Sequence, residues 1–582
     1  MLAIVVSLPA TAQPLIDPHA ISIHPFTGQR GATFIATVRG SGLAGASAAS
    51  IGNAPFTVTV ERTETEAVGE GRKTSIDLVN LRVEVRQDAK PGRYPIRLVT
   101  RNGISNALPL HIVDDPVIPE PAGPHETQES AVAISRLPAV YSGRIARRGE
   151  TDYYSFHADA GQVLTFEVIS GFPQIAAAGS NATVPNFDPA ITIYEAAGSW
   201  FDPKRLKRIA YNDEPVFVFG QSTDARLVHR FTNAADYLLR VEAFAGQGGP
   251  DYSYQLKVAP VKIASVEVAP VALPQDRPAA AGGGWDERSF TRRLDAARLN
   301  QLAKRGGKDA KPLPLETYRA GPEAAVFKLP GTLEGTLSEP GAIHRARFHL
   351  DGPTDIAIEI ETPAAAPPFF NPIFRLLNTA GEEVASSIFA GRGACTGALT
   401  KSMQSKTILP LRDPGDYTLE IRDATADLAG ASFQYRVQVR PQVPHVGQVR
   451  VDADSLNLAQ GQAKTIRVAF DREEDYRGAV MVVAKSLPPG VSAVAGADFE
   501  ADKDPPPAIG KRERYTGRTE RVVVVLTADA DAPVSTEPQE IQLVVRPLVD
   551  GKPGDTLSTK TLPLMILPKV MILPKVMVPA KP

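Results

Sequence analysis

The chain has 582 residues, a formal net charge of −2 and one cysteine, Cys395. This length predicts roughly three to five domains, and the near-neutral charge excludes a global electrostatic field that would attract nucleic acid or an anionic membrane. One cysteine excludes an intrachain disulfide, and 46 glycines with 51 prolines indicate many turns.

The first twelve residues predict an export signal. An apolar run from Leu2 to Leu8 precedes Ala10-Thr11-Ala12, a pattern typical of a secretory signal that is cleaved before Gln13. The alternative is a buried first strand. No later segment approaches about 18 uninterrupted apolar residues, so we expect no membrane-spanning helix.

Residues 18–113 alternate short apolar stretches with turn signals, a spacing that predicts a β-sandwich. Within them, Gly40-Ser41-Gly42-Leu43-Ala44-Gly45 spells the dinucleotide-binding fingerprint. Nucleotide binding also needs a helix after the glycines, and Gly52 and Pro55 would interrupt one within about two turns. We therefore predict a turn between strands here. Residues 114–135 include the sequence DDPVIPEPAGPHET and are predicted to be a Pro-rich linker.

An internal repeat is the most informative feature of the sequence. Residues 136–260 form copy 1, and residues 323–441 form a diverged copy 2. The ungapped matches are Leu137, Pro138, Gly143, Gly149, Phe156 and Asp159 in copy 1, and Leu329, Pro330, Gly335, Gly341, Phe348 and Asp351 in copy 2. Two copies of one unit predict a string of similar modules instead of one large catalytic fold.

Three further segments complete the chain. Residues 261–322 are predicted to be a linker with one short helix over residues 286–304, which Asp286 would cap and Gly306-Gly307 would end. Residues 445–566 predict another β-sandwich, and residues 567–582 are a repeat tail. The predicted fold class is therefore all-β, with tandem sandwich modules and one helical insert.

Three tyrosines share a position just after a turn, at the start of a predicted strand: Tyr94, Tyr237 and Tyr417. A tyrosine at such a corner commonly donates its hydroxyl to backbone a few residues upstream. We predict an architectural role for all three.

Copy 1 carries short motifs in a fixed order. They are Ser142-Gly143, Gly149-Glu150-x-Asp152-Tyr153-Tyr154-x-Phe156, Ala160-Gly161-Gln162, Asp188-Pro189-x-Ile191-x-Ile193-Tyr194, Asn212-Asp213, Tyr237-Leu238-x-Arg240-Val241 and Tyr254-x-Leu256. In these motifs copy 1 resembles the bacterial pre-peptidase C-terminal domain family, and copy 2 looks like a diverged member. Residues 18–113 look like an IPT/TIG-type immunoglobulin-like domain, on Gly40-x-Gly42-Leu43, Ala89-x-Pro91-Gly92-x-Tyr94 and Asn102-Gly103-x-Ser105-Asn106. Residues 445–566 are similar to immunoglobulin-like domains with a Leu487-Pro488-Pro489-Gly490-Val491 signature.

These resemblances imply jelly-roll-like or immunoglobulin-like sandwiches. They also imply a module that is appended to secreted proteases and surface proteins without being the protease itself. Some relatives in collagenases bind collagen and calcium, which suggests calcium near the turn that holds Glu150 and Asp152.

The candidate metal ligands are five acids of copy 1: Glu150, Asp152, Asp188, Asp213 and Glu214. All lie at predicted strand ends or turns, where carboxylates can converge on Ca²⁺, which prefers oxygen ligands. Ca²⁺ is the one candidate cofactor. The alternative is that these acids are turn-formers that accept hydrogen bonds from nearby backbone amides.

Copy 2 bears on this choice because it replaces several of the acids. His344 stands in place of Asp152, and Asn371 stands in place of Asp188. If both copies share a fold, that fold does not require the acids. His344 and His349 are five positions apart in the sequence, so they would lie on opposite faces if this segment forms a strand.

The candidate ligand-binding surface is a set of aromatic residues in copy 1: Tyr153, Trp200, Tyr211, Phe217 and Phe219. Exposed on one face, they could stack against a sugar or bind collagen. The alternative is that each packs in a core or at its rim.

Hydrolase signatures are missing from this sequence: it has no Gly-x-Ser-x-Gly elbow and no His-Glu-x-x-His. We therefore predict a protein without enzymatic activity that is exported to the periplasm, the cell surface or the medium. The predicted function is binding or adhesion to extracellular protein or polysaccharide. The alternatives are an accessory protein of a separately encoded secreted protease and a structural spacer of the cell envelope that contacts an envelope protein.

Overall fold

The computed structural model describes residues 17–260 and 316–569. The undescribed positions inside these ranges are 51, 53, 69–73, 122, 172–186, 197–204, 214–223, 244–245, 363–369, 393–398, 404–405, 425–428, 432, 475, 499–516 and 550. The predicted export signal, the helix over residues 286–304 and most of the repeat tail lie outside the described residues. Over the described ranges the chain is built almost wholly of strands, which confirms the all-β fold class.

The first module is a sandwich of two sheets. Its strands are β1 (His19–His24), β2 (Thr27–Gln29), β3 (Thr33–Ser41), β4 (Ala48–Ser50), β5 (Phe56–Val68), β6 (Thr74–Val85), β7 (Gly92–Thr100), β8 (Gly103–Ile104) and β9 (Leu108–Val113). One sheet has the order β1-β3-β6-β5 and the other β2-β9-β7-β4. Alternate residues of β7 are buried between the sheets, including Tyr94, Ile96 and Leu98.

The second sandwich contains copy 1. Its strands are β10 (Val117–Pro119), β11 (Val132–Ala133), β12 (Ala139–Arg144), β13 (Thr151–Ala158), β14 (Val163–Ser170), β15 (Pro189–Ala196), β16 (Leu206–Asn212), β17 (Ala225–Arg230), β18 (Ala235–Ala243) and β19 (Ser253–Pro260). The sheets have the orders β10-β12-β19-β14-β17 and β11-β13-β18-β15-β16. Strands β10 and β11 come from the segment predicted to be a linker, and they pair in parallel with β12 and β13.

The third sandwich contains copy 2. Its strands are β20 (Glu316–Arg319), β21 (Ala325–Val326), β22 (Gly331–Thr336), β23 (His344–Leu350), β24 (Thr354–Glu361), β25 (Pro372–Leu377), β26 (Glu383–Ser386), β27 (Ile388–Arg392), β28 (Leu399–Met403), β29 (Lys406–Leu411), β30 (Gly415–Asp423) and β31 (Gln434–Pro441). Its two main sheets, β20-β22-β31-β24-β29 and β21-β23-β30-β25-β26, follow the strand order of the copy 1 sandwich. The two copies therefore share a fold.

The fourth module completes the described chain. Its strands are β32 (His445–Val451), β33 (Leu456–Ala459), β34 (Ala463–Glu473), β35 (Val480–Lys485), β36 (Val491–Val494), β37 (Gly496–Asp498), β38 (Gly517–Ala528), β39 (Gln539–Val549), β40 (Lys552–Pro553) and β41 (Ser558–Leu567). Each of the four sandwiches encloses its own buried apolar core. The residue limits that the sequence assigns to the modules stay predictions.

The three corner tyrosines have the predicted role. Tyr94 donates its hydroxyl to Lys90 O (2.7 Å), and Tyr237 and Tyr417 make the equivalent bonds to Asn233 O and Asp413 O (both 2.8 Å). His344 and His349 also lie as predicted, since His344 is buried and His349 is exposed on the other face of β23.

The glycine-rich stretch after β3 is a turn, as predicted. Its backbone amides face a carboxylate of the chain itself, because Asp77 accepts from Leu43 N (2.8 Å) and Ala44 N (3.0 Å). Asp77 is also almost fully buried. The backbone amides of this loop therefore bind the Asp77 carboxylate of the same module, and not the phosphate of a nucleotide.

The modules contact one another through polar groups and, between the first and fourth modules, also through a small buried apolar cluster of Val99, Ile104, Met565 and Leu567. The first module docks on the copy 1 sandwich through Thr27, which donates to Gln255 Oε1 (2.9 Å), and through His24 Nδ1, which lies 3.1 Å from Ser253 Oγ. It docks on the fourth module through Asn457, whose side chain pairs with both backbone groups of Ile104 (2.8 and 3.0 Å). The first contact places His24 beside copy 1, where it borders the pocket described below.

A buried group of charges joins the copy 2 sandwich to the fourth module. This junction cluster consists of Glu359, Lys406, Arg440, His445, Glu473 and Glu474. Lys406 Nζ lies 2.5 Å from both Glu473 Oε2 and Glu474 Oε1, and Arg440 donates to Glu474 at 2.6 and 2.7 Å. The side chains of Arg440 and Glu474 are fully buried. Since buried charges are tolerated only when paired, we expect the junction to depend on the ion pairs that Lys406 and Arg440 make with the glutamates.

The junction cluster predicts that the protein becomes less stable to unfolding in acid. Burial alone would raise the pKa of Glu473, but the hydrogen bond from His445 and the charge of Lys406 outweigh it and lower the pKa from 4.5 to about 2. A carboxyl with a lowered folded-state pKa stabilises the fold above pH 4.5 and loses that contribution as the pH falls toward 2. We expect the free energy of unfolding, measured by denaturant titration, to fall in this window. The fall should be smaller in Glu473→Gln, whereas the exposed control Glu84→Gln should match the wild type. An equal fall in all three proteins would contradict this assignment.

Candidate functional site

The segment between β10 and β11 is held against the end of the copy 1 sandwich. Glu120 N donates to Ser142 O on β12 (3.0 Å), and Tyr153 N on β13 donates to His125 O (2.9 Å). A 3₁₀ turn over Gln128–Ser130 follows. These backbone bonds fix the side chains of Glu120 and His125 above the start of β13.

Asp152 is the side chain below them, and it is fully buried. It belongs to the inward-facing row of β13 with Tyr154 and Phe156. A buried carboxylate is costly unless polar partners surround it. Tyr254 supplies one, because its hydroxyl donates to Asp152 Oδ2 (2.6 Å). The ring of Tyr254 fits because Gly143 has no side chain: a Cβ there would lie 2.4 Å from its Cζ.

Glu120, His125 and Asp152 form what we call the acid–histidine cluster. His125 Nε2 lies 2.9 Å from Glu120 Oε1 and 3.2 Å from Asp152 Oδ1. Neither contact has the directionality of a hydrogen bond, and both His125 Nε2 and Asp152 Oδ1 lack a hydrogen-bond partner among the described residues. The three ligand atoms that these side chains offer lie within 4.8 Å of one another.

The cluster shifts the acid–base behaviour of its members. Burial first, and then the charge of Asp152, raise the pKa of Glu120 to about 7. The close contact with Asp152, which outweighs the effect of burial, and the charge of Glu120 raise the pKa of His125 to about 9. Burial also holds the pKa of the Tyr154 and Tyr254 hydroxyls well above 10, so both remain hydrogen-bond donors. Without a bound cation, an imidazolium therefore lies between two acids at neutral pH.

A pocket of about 340 Å³ opens onto the cluster. Its wall combines His24 and Pro25 of the first module with Glu120, His125, Arg144 and Glu150 of the copy 1 sandwich. Burial, aided by the positive charge of Arg144, lowers the pKa of His24 to about 4. Arg144 Nε has no hydrogen-bond partner among the described residues. The pocket thus lies between two modules and has both a cationic side chain, Arg144, and acidic side chains, Glu120 and Glu150, in its wall.

The geometry does not suit acyl transfer. A histidine that activates a nucleophile must present one ring nitrogen to it. Nδ1 of His125 lies 2.8 Å from Gly123 O, and Nε2 faces the two acids. Asp152 has no exposed surface from which to reach a substrate. The arrangement is suited instead to holding a cation or a polar ligand.

Copy 2 shows the same fold without the cluster. Ala320 N donates to Glu334 O (2.9 Å) and Arg345 N donates to Gly321 O (2.9 Å), the same two backbone bonds that fix Glu120 and His125. Ala320 and Gly321 therefore occupy the positions of Glu120 and His125. His344 occupies that of Asp152, and its Nδ1 lies 2.7 Å from Tyr435 OH. The sandwich fold consequently does not require the acid–histidine cluster.

The structure describes four of the five predicted calcium ligands and places them in different parts of copy 1. Asp152 belongs to the acid–histidine cluster, and Glu150 borders the pocket. Asp213 directly follows Asn212, which is three strands from Asp152 in the same sheet, or about 14 Å at the usual strand spacing. Asp188 directly precedes β15, and Glu214 lies outside the described residues. A calcium site formed by this set stays a prediction.

Of the predicted aromatic surface, the described residues are Tyr153 and Tyr211. Tyr211 is 40% exposed, and its hydroxyl donates to Asp213 (3.0 Å). Tyr153 is half-buried. Trp200, Phe217 and Phe219 lie outside the described residues, so the surface as a whole stays a prediction.

Glu120 and His125 are site residues that the sequence analysis missed. Both lie in the segment predicted to be a linker, and a linker is not expected to contribute buried side chains. A signal was nevertheless present, since Glu120 and His125 lie among prolines that stiffen the segment just before copy 1.

No protein-family model matches the chain, and no curated protein matches it. Three solved structures illustrate the similarities found. The pre-peptidase C-terminal domain of collagenase from Bacillus anthracis is 14% identical over 22% of this chain and 93% of that chain, with a TM-score of 0.15. The g-type lysozyme inhibitor PliG of Aeromonas hydrophila is 16% identical over 25% and 96%, with a TM-score of 0.15. Domains 4 and 5 of the S-layer protein SbsC are 12% identical over 36% and 99%, with a TM-score of 0.12. Likenesses this weak carry no argument about function.

Removing the Tyr254 hydroxyl tests its contacts with the two acids of the cluster, Asp152 Oδ2 (2.6 Å) and Glu120 Oε1 (2.8 Å). Hydrogen bonds to charged groups contribute about 1.5–3 kcal/mol, and those between neutral groups about 0.5–1.5 kcal/mol. We expect Tyr254→Phe to lower the free energy of unfolding by the larger amount. The matched variant Tyr435→Phe, which removes the contact with His344 in copy 2, should lower it by the smaller amount. Equal losses in denaturant titrations would contradict the stronger contact assigned to the Tyr254 hydroxyl.

Proposed function

We propose that this chain is an exported binding protein without catalytic activity, which recognises an extracellular protein through the pocket beside the acid–histidine cluster. The observation that carries the proposal is the difference between the two copies. The same sandwich carries Glu120, His125 and Asp152 at this position in copy 1, and Ala320, Gly321 and His344 at the equivalent position in copy 2. Groups that a fold does not need, gathered at a pocket, are available for binding.

The chemistry of the pocket supports a polar or charged ligand. Among the described residues, its wall contains Arg144, Glu120 and Glu150 but no phenylalanine, tyrosine or tryptophan. Polysaccharide sites commonly use aromatic rings as stacking surfaces. A charged side chain or terminus of a protein partner therefore fits this pocket better than a sugar ring. A separately encoded secreted protease would be one such partner.

Export is supported by the sequence of residues 1–12. Among the described residues, no helix combines the length and apolar character that crossing a bilayer requires. The sandwich modules and the contacts between them suit a chain that holds a binding pocket in a fixed shape.

Retention on immobilised matrices tests the proposal. Purified full-length chain would be passed over collagen, chitin, cellulose and peptidoglycan, with and without added Ca²⁺. We expect retention on a protein matrix, reduced at least about tenfold by Arg144→Ala, since one charged hydrogen-bonding group commonly contributes more than 1.4 kcal/mol.

The control is Arg82→Ala, which removes an arginine from an exposed pair on the first module. It should be retained like the wild type. Retention on a polysaccharide alone, or retention that Arg144→Ala does not change, would contradict the assigned partner class or pocket. Failure to bind any matrix would favour the alternative that the chain is a structural spacer of the cell envelope.

A further inference from the structure

We propose that Glu120, His125 and Asp152 bind one divalent transition-metal ion of the Zn²⁺ class. This site goes beyond the proposed function, since it can be measured without the partner that fills the pocket. It also differs from the predicted calcium set, with which it shares only Asp152.

The first observation is that two of the three ligand atoms face the cluster without a hydrogen-bond partner, while the third, Glu120 Oε1, accepts from the Tyr254 hydroxyl (2.8 Å) and the Tyr154 hydroxyl (3.2 Å). Asp152 Oδ1 and His125 Nε2 lack a hydrogen-bond partner among the described residues, although Asp152 is fully buried. A tetrahedral ion with ligands at about 2.1 Å keeps its ligand atoms about 3.4 Å apart. His125 Nε2 is 2.9 and 3.2 Å from the two carboxylate oxygens, so small side-chain rotations would admit an ion.

The second observation is that every ligand side chain is oriented by an outer hydrogen bond. His125 Nδ1 lies 2.8 Å from Gly123 O, an arrangement that leaves the Nε2 lone pair directed toward the carboxylates. Glu120 Oε2 accepts from Arg144 N (3.0 Å), and Asp152 Oδ2 accepts from Tyr254 (2.6 Å). Metal-bound histidines and carboxylates are commonly held in this way.

The donor set selects the ion. Ca²⁺ and Mg²⁺ prefer sites made of oxygen atoms, and the imidazole nitrogen of His125 does not suit them. One histidine with two carboxylates suits Zn²⁺ and its first-row neighbours, with further coordination supplied by water or by a ligand in the pocket.

The junction cluster provides an internal contrast. His445, Glu473 and Glu474 also bring ligand atoms within 4.8 Å of one another. There, however, Lys406 contacts both carboxylates at 2.5 Å, and Arg440 contacts Glu474. The chain supplies its own cations at that position. Among the described groups of this kind, the acid–histidine cluster is the one without a lysine or arginine side chain on its carboxylates.

Isothermal titration of the full-length chain, freed of metal with a chelator, tests the proposal. Zn²⁺ should bind to the wild type, and Ca²⁺ and Mg²⁺ should not compete for that site. His125→Ala and Glu120→Gln should each weaken this binding at least about tenfold. Titration with Co²⁺ gives a second readout, because visible absorption bands from a low-symmetry site should appear in the wild type and be lost in His125→Ala.

Two control variants separate this site from others. His445→Gln removes the histidine of the junction cluster, and His157→Gln removes an exposed histidine that lies between Asp159 and Asp236. Both should bind Zn²⁺ like the wild type, and the thermal midpoint of every variant confirms that it is folded. Absence of Zn²⁺ binding would overturn the proposal, as would binding that His125→Ala does not weaken. Preference for Ca²⁺ would overturn it in favour of an oxygen-only site. None of these outcomes depends on whether the chain is retained on a protein matrix.

Discussion

The inward orientation of Asp152 on β13 is the constraint on which the candidate site depends. A carboxylate on the core face of a sandwich strand must be charged and paired, or must be neutralised. Tyr254 provides one hydrogen bond, and the segment before copy 1 brings the imidazole of His125 to the other carboxylate oxygen. The backbone bonds that tie this segment to β12 and β13 therefore have a chemical consequence, because they place a histidine and a second acid over the buried carboxyl group of Asp152.

The two copies show how one fold can gain such a site. Copy 2 keeps the strand order, the corner tyrosine and the buried Tyr435, but it pairs Tyr435 with His344 and places Ala320 and Gly321 above it. A neutral contact then replaces the charged cluster. The first module adds the remaining wall, since its contacts with β19, Thr27 to Gln255 and His24 to Ser253, hold His24 at the pocket. The pocket is thus a property of two neighbouring modules together.

Much of the fold could be predicted from the sequence, because it rests on local patterns. Alternating apolar residues predicted the strands, and the turn before Tyr94 predicted a hydrogen bond from its hydroxyl to backbone a few residues upstream, which the structure shows to be Lys90 O. The repeat predicted that the copies share a fold that does not need Asp152. Glu120 and His125 could not be assigned to a site in this way. Their burial depends on the parallel pairing of β10 with β12, which no local pattern in a Pro-rich segment reveals.

The central claim is that the acid–histidine cluster serves binding and is not needed for folding. Its most direct test is to give copy 1 the residues of copy 2, in the triple variant Glu120→Ala, His125→Gly and Asp152→His. The loss of the His125 ring leaves room for an imidazole at position 152, where Tyr254 can contact it as Tyr435 contacts His344. The measurement is the thermal unfolding of this variant with and without Zn²⁺. The account predicts cooperative unfolding near the wild-type midpoint and no shift when Zn²⁺ is added. An unfolded variant, or one that Zn²⁺ stabilises as it does the wild type, would contradict it.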